Sequence, residues 1–270
     1  MTTLLTERGP QWLAAVARRQ SRRAYDGRRV PAAMLDAIER ACERFRPYPD
    51  ARVVLVREPV LDVFTGVLGS YGKVRNAPHV LLFLGDRDMA FSDQHVGYTG
   101  EGIVLEATAR GLNTCWVAGF FSAAKVAQLA RIDASEKVFA VSPLGYAAST
   151  FTLGERGMRG AAGAHARRSV DEIARGAHEG WPEWAVAAVE TARLAPSAVN
   201  RQPWRFRFED NALLVAQDNP FETPKVTKRL DCGVAMLHAE LGANASGIVG
   251  TWHDLGHGLD VGRFTTNTGA

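Results

Sequence analysis

Ala195-Pro196-Ser197-Ala198-Val199-Asn200-Arg201-Gln202-Pro203-Trp204-Arg205-Phe206 is the most specific stretch of the 270-residue chain, and it joins a helical pattern to a strand pattern. Pro196 and Pro203 stiffen the loop, because each proline ring fixes its own backbone angle. Ser197, Asn200 and Gln202 offer polar groups, and small Ala198 lets backbone come close to a flat ligand. Such a loop can hydrogen-bond the edge of a heterocycle. It equally fits a plain turn in which Ser and Asn cap the chain before a strand.

The helix before this loop, through Ala188-Val189-Glu190-Thr191-Ala192, echoes Ala37-Ile38-Glu39-Arg40-Ala41 far upstream. Each is followed, after a proline-containing loop, by a short strand, residues 204–208 in one place and 53–56 in the other. Gly102-Ile103-Val104-Leu105 with Trp116 downstream resembles Gly233-Val234-Ala235-Met236-Leu237 with Trp252 downstream. Spacing alone leaves duplication and chance both open.

Around these echoes, helix and strand patterns alternate. Residues 11–19 carry Trp12, Leu13 and Val16 on one helical stripe, and Pro31 opens a helix with Met34, Leu35, Ile38, Cys42 and Phe45 at helical spacing. Val80 to Leu84 is an unbroken apolar run, as expected of a strand covered on both faces. Residues 97–110 form a helix of small and apolar residues stopped by Gly111, and 229–245 is its counterpart. Strands are predicted at 114–118 and 138–144, and a hairpin turns at Glu209-Asp210-Asn211. Residues 60–69 and 125–130 read as helices. The Gly- and Ala-rich residues 151–166 read as an extended connector.

Basic residues gather in two places. Arg19, Ser21 and Arg23 alternate, so an extended chain past the first helix turns all three to one face, two cations flanking a hydroxyl, a geometry that suits phosphate. A solvated basic helix end fits the same residues. Overall charge excludes less: 32 basic against 29 acidic residues give +3, too little to argue for nucleic acid or membrane. Cys42, Cys115 and Cys232 are far apart, which argues against a disulfide framework or zinc ribbon and for a reducing cytoplasm. No signal-length or membrane-spanning apolar run is present in the sequence. His253 and His257 are four apart, but Gly256 and Gly258 oppose a helix there, so no metal is expected. Cys115 reads as a packed strand residue, and Gly97–Gly102 lacks the preceding strand of a dinucleotide fingerprint.

Taken together, Arg19-x-Ser21-x-Arg23, Ala195-Pro196-Ser197-Ala198-x-Asn200-x-Gln202-Pro203-Trp204, and Gly111-Leu112-Asn113-Thr114-Cys115-Trp116-Val117-Ala118-Gly119-Phe120 resemble the FMN-dependent nitroreductase family. In that family the Pro-Ser motif follows the basic motif, and two subunits share each flavin. Here Phe45-Arg46-Pro47-Tyr48-Pro49-Asp50 stands where the Pro-Ser motif is expected, and the motif appears near position 200 instead. This order resembles the single-chain, Thermotoga-type branch, in which one chain looks like a fused dimer.

The resemblance implies an α+β fold, a three-layer α/β/α sandwich with a mixed central sheet and an internal pseudo-duplication. Residues 1–160 would form the first half and residues 161–270 a partial second half, together holding one shared FMN. It implies cofactor contacts from Arg19, Gln20, Ser21 and Arg23, from Arg167 and Arg168, and from Pro196, Ser197, Ala198 and Asn200. Trp116, Val117, Ala118 and Gly119 would lie along the ring, with the backbone of Ala118 and Gly119 near N5, and Ser70 and Lys73 would reach the ribityl chain and ring oxygens. No catalytic side chain is implied, because the flavin carries the chemistry. The expected activity is NAD(P)H-dependent reduction of nitroaromatics, quinones or similar planar acceptors by a cytoplasmic monomer. A flavin-binding or sequestering protein without turnover is the alternative.

Overall fold

The computed structural model describes residues 3–58, 61–64, 74–161, 163, 166–222 and 226–267. The first half begins with α1 (Leu4–Val16), whose cap Thr3 accepts from Thr6 N–H, and α2 (Ala32–Arg44), which starts after Pro31 and buries Leu35, Ile38, Ala41 and Cys42. It continues through β1 (Ala51–Val56), β2 (His79–Asp86), α3 (Ser92–Ala109), β3 (Asn113–Thr114), α4 (Ala123–Val126) and β4 (Glu136–Gly145). Next come α5 (Leu153–Ala161) and α6 (Val170–Ile173). The second half holds α7 (Glu183–Ala192), β5 (Trp204–Glu209), β6 (Ala212–Gln217), α8 (Lys228–Ala245), β7 (Gly250–Asp254) and β8 (Asp260–Thr266).

The α+β class is as expected, but the strands form two four-stranded sheets rather than one mixed sheet. Every ladder between these strands is antiparallel. Among the described residues, parallel pairing is confined to the isolated bridges Ser21–Thr114 and Ala24–Arg75. The first sheet is nonetheless covered on both faces, as the apolar run in β2 requires. Leu81 and Phe83 join the main core, while Val80, Leu82 and Leu84 pack with Val126 and Val141 on the far side.

The two sheets repeat one plan, with orders β1-β2-β4-β3 and β5-β6-β8-β7. Even the irregularity recurs: register shifts after Phe83 in the β2–β4 ladder and after Val215 in the β6–β8 ladder. A shift of 136 positions carries the bridged pair Val117–Val141 onto His253–Arg263 by its first member, and carries Thr114 onto Gly250, so Trp116 corresponds to Trp252 by strand register and not only by residue type.

The same shift relates the two long helices. A Cβ on Gly97 would lie 2.1 Å from the Leu230 carbonyl oxygen, and one on Gly233 would lie 2.0 Å from that of Gln94. Each glycine thus meets the residue three before the other, the reciprocal contact of a two-fold axis. Backbone touches backbone there because neither residue has a side chain. Every position of α3 except Asp93 and Ala109 is buried, which explains why its sequence shows no clean polar stripe.

The expected connector at 151–166 is in fact largely helical. Thr152 N–H donates to Glu155 Oε2, and Glu155 N–H donates to Thr152 Oγ1. This reciprocal Thr-x-x-Glu pairing starts α5 despite its glycines. The strand expected at 114–118 shortens to β3 plus the Val117–Val141 bridge, and of 60–69 the described part is a single 3-10 turn, Leu61–Val63. Among the described residues no helix is long and apolar enough to cross a membrane.

Candidate functional site

Past α1 the chain runs extended beside the first sheet. Ser21 bridges to Thr114, and Arg22 N–H donates to the Thr114 carbonyl at 3.0 Å, so the basic motif lies alongside the Gly-Leu motif. Alternation then separates the arginines. Arg22 turns inward, donates to the carbonyls of Ala148 and Thr150, pairs with Glu155 at 3.4 Å and covers the Phe151 ring. Glu155 also accepts from the backbone N–H groups of Arg23 and Ala24 at 2.8 and 3.1 Å. The four backbone and guanidinium donors outweigh burial and hold its carboxyl below the usual range. This clamp fixes the strand that presents Arg19, Ser21 and Arg23. Gln20 is exposed.

Arg19 turns into the protein. Its side chain is 7% exposed, and among the described residues its Nε has no hydrogen-bond partner and pairs with the Glu101 carboxylate at 3.9 Å. Arg167 comes up beside it from the segment between α5 and α6. Burial, then the charges of Arg19 and Arg193, push the Arg167 pKa down, so the three cations act on one another. Arg168 lies further out beside Arg205, whose pKa burial and Arg168 likewise lower. Crowded, partly desolvated cations of this kind are relieved by an anion. Among the described residues no cluster of His, Cys, Asp or Glu suits a metal.

The Pro-Ser loop supports this arrangement. Asn200 Oδ1 accepts from Arg167 Nη1 at 2.8 Å, and Asn200 Nδ2 donates to the carbonyls of Gly163 and Ala166. Gln202 Oε1 accepts from Arg168 N–H at 2.9 Å. Ser197 Oγ accepts from Gln202 N–H. The amides of Asn200 and Gln202 therefore hold the Arg167–Arg168 segment rather than offering themselves to a heterocycle. Val199, Asn200 and Gln202 all take positive φ, a conformation that costs a β-branched valine most. Asp231 of α8 sustains it: its carboxylate accepts from Ala198 N–H at 3.1 Å and from Arg201 Nε at 2.6 Å. Burial raises Asp231 to about 6 against the pull of Arg201.

At the strand end, Trp116 points inward, stacked on Phe83 at 4.1 Å, with Nε1–H donating to Glu101 Oε2 at 2.8 Å. Val117 is paired in both directions with Val141, so its N–H is taken. Ala118 and Gly119 follow, with Gly119 at φ +107°, where the chain turns away from the sheet. Ser70 and Lys73 lie outside the described residues.

The pseudo-equivalent place in the other half is filled. The shift of 136 carries Asp231 onto His95 and Ala118 onto Asp254. His95 Nδ1 bonds Asp50 at 2.8 Å in the loop replacing the Pro-Ser motif, and its Nε2 bonds Asp254 at 2.9 Å. Tyr48 stacks on the imidazole at 3.9 Å. Burial opposes the charged imidazolium, but hydrogen bonds and charge from Asp254 and Asp50 raise it to about 9. A charged bridge thus spans the two segments that in the first site stand apart.

Sequence reading missed Glu101, Glu155, Asp231 and His238. The available signal was an acid or imidazole embedded in an otherwise apolar or small-residue helix, and the Thr-x-x-Glu box.

The family model described as "Putative TM nitroreductase" matches residues 12–243. Among solved structures, a Thermotoga maritima protein described as a putative nitroreductase is 22% identical and aligns over 95% of this chain and 94% of its own, with a TM-score of 0.59. A Bacteroides fragilis nitroreductase with bound FMN is 21% identical over 53% of this chain and 91% of its own, with a TM-score of 0.42. An FMN-dependent nitroreductase from Clostridium difficile is 16% identical over 51% and 88%, with a TM-score of 0.43. No curated protein matches the chain in sequence. With most of the chain inside the matched span and the fold shared across nearly the whole length, the chain belongs to the "Putative TM nitroreductase" family.

Proposed function

We propose that the chain is an FMN-dependent NAD(P)H oxidoreductase that reduces nitroaromatics, quinones or similar planar acceptors, with one FMN per chain. Family membership carries the general oxidoreductase role. The observation that carries the cofactor is the buried Arg19 Nε, which has no hydrogen-bond partner among the described residues, in the electrostatic reach of Arg167. A phosphate dianion is the chemistry that such a site lacks. Arg19, Arg23, Arg167 and Arg168 would hold the phosphate, with Ser21 between the first two. Pro196, Ser197 and Ala198 would face the ring from the second half, and Ala118 and Gly119 from the first. These residues would hold and orient FMN, which when bound would supply the hydride and electron chemistry between NAD(P)H and the acceptor.

The filled pseudo-equivalent site supports a single flavin, and residues 1–160 with 161–270 then act as a pseudo-dimer within one cytoplasmic monomer. The deciding experiment is the visible spectrum of the purified protein after FMN reconstitution, followed anaerobically by NADH or NADPH. Bleaching that a quinone or nitroaromatic reverses supports the enzyme. Bound flavin that stays oxidised with both nucleotides removes the turnover and leaves a binding protein. No bound flavin ends the cofactor reading.

A further inference from the structure

Glu101 is a buried carboxylate in the middle of α3 that neither the motifs nor the anion site account for. It is wholly buried, and it meets three groups at once. Trp116 Nε1–H donates to Oε2 at 2.8 Å, His238 Nε2 bonds Oε1 at 3.0 Å across the pair of long helices, and Arg19 Nε lies 3.9 Å from Oε1. Arg19 belongs to the phosphate end of the proposed site. Trp116 stands two residues before Ala118, at its ring end. One carboxylate therefore joins the two ends from behind.

The pseudo-symmetry shows that this pair is particular to one half. The shift of 136 carries Glu101 onto Leu237 and His238 onto Gly102, so the Glu101–His238 pair is not repeated, and in the other half the buried acid near Trp252 is Glu240, which accepts from Tyr98 Oη at 2.6 Å. Burying an ion pair stabilises a fold little or not at all compared with apolar packing. What sets Glu101 apart from Glu240 is the arginine: Arg19 Nε lies 3.9 Å from Glu101, whereas Glu240 is held by the Tyr98 hydroxyl.

We propose that Glu101 is a positioning residue, which couples occupancy of the phosphate end, through Arg19, to the setting of the ring segment, through Trp116. The proposal rests on the flavin reading above. When an anion binds Arg19, the guanidinium shifts relative to Glu101, and the carboxylate transmits the change to the indole N–H. Glu101→Gln keeps the shape and removes the charge.

The test follows the indole N–H resonance of Trp116, assigned by its loss in Trp116→Phe, while inorganic phosphate and then FMN are added to the full-length protein. In the wild type, phosphate alone should shift this resonance. The shift should vanish in Glu101→Gln and in Arg19→Ala. FMN affinity should fall about tenfold in Glu101→Gln, and by much less than a further tenfold when Glu101→Gln is added to Arg19→Ala, since the two act in one path. A wild-type shift retained in Glu101→Gln, or fully additive losses, overturns the proposal while leaving FMN binding intact. Failure of the wild type to bind either phosphate or FMN overturns the flavin reading, and this role with it. Should Glu101→Gln fail to fold, Glu101→Asp decides, because its charge is drawn back from Arg19 and Trp116. A diminished phosphate response supports the role, and an undiminished one overturns it.

Discussion

At the residue scale, the chemistry rests on where a few guanidinium groups are held. Arg19 has a buried side chain, and its charge acts on the half-buried Arg167. Replacing either by Ala should weaken FMN binding by about 1.5–3 kcal/mol, the range for a charge-assisted hydrogen bond, and leave riboflavin binding nearly unchanged. Paired titrations with the two flavins check this, and equal weakening of both would make the arginines props of the fold. His95 gives a prediction in pH. Its pKa is raised from 6.5 to about 9, so its contribution to stability is fully present below about pH 6.5 and fades as pH rises through 9. Asp50, held low against its burial by His95, adds stability above its ordinary pKa that is lost as pH falls. Urea denaturation of the wild type should therefore lose stability between pH 7 and 9.5 relative to His95→Gln. A parallel pH dependence in the two proteins would mean that the bridge is not ionised as described.

At the element scale, the crossing of α3 and α8 is the tightest constraint in the molecule. Gly97→Ala or Gly233→Ala must push a backbone carbonyl aside, and overpacking of this kind costs about 1–3 kcal/mol. Thermal melting checks it, with Gly157→Ala, which meets no neighbour, as the control. The elements themselves were largely legible. Hydrophobic periodicity located α2, the apolar run located β2, and Glu209-Asp210-Asn211 located the hairpin, where Asp210 and Asn211 take positive φ. Element ends were less legible: α3 starts five residues before the reading, because buried Gln94 and His95 find polar partners only in the folded chain. The connector at 151–166 was misread because glycine content was weighed over the Thr152–Glu155 box. For the site, the motifs pointed to segments that the fold brings together, but not to the contacts made there. Asn200 and Gln202 serve Arg167 and Arg168, and no local pattern distinguishes that from a ligand contact.

At the scale of the whole molecule, the halves share a plan but not a site. Arg201 with Asp231 keeps one loop open in form, while Tyr48 and Asp50 with His95 close the corresponding place in the other half. Isothermal titration should give one FMN per chain, and sedimentation should give a particle of about 29.3 kDa. Two flavins per chain would contradict the closed bridge, and a stable dimer would contradict the pseudo-dimer. The burial of α3 on nearly all sides also bears on how the protein is made. Its partner α8 leaves the ribosome 136 residues later, roughly 7–27 s at ordinary rates of synthesis. For that interval the nascent first half carries an apolar helix face whose cover has not been translated, and it is during those seconds that holding chaperones should be found on the chain.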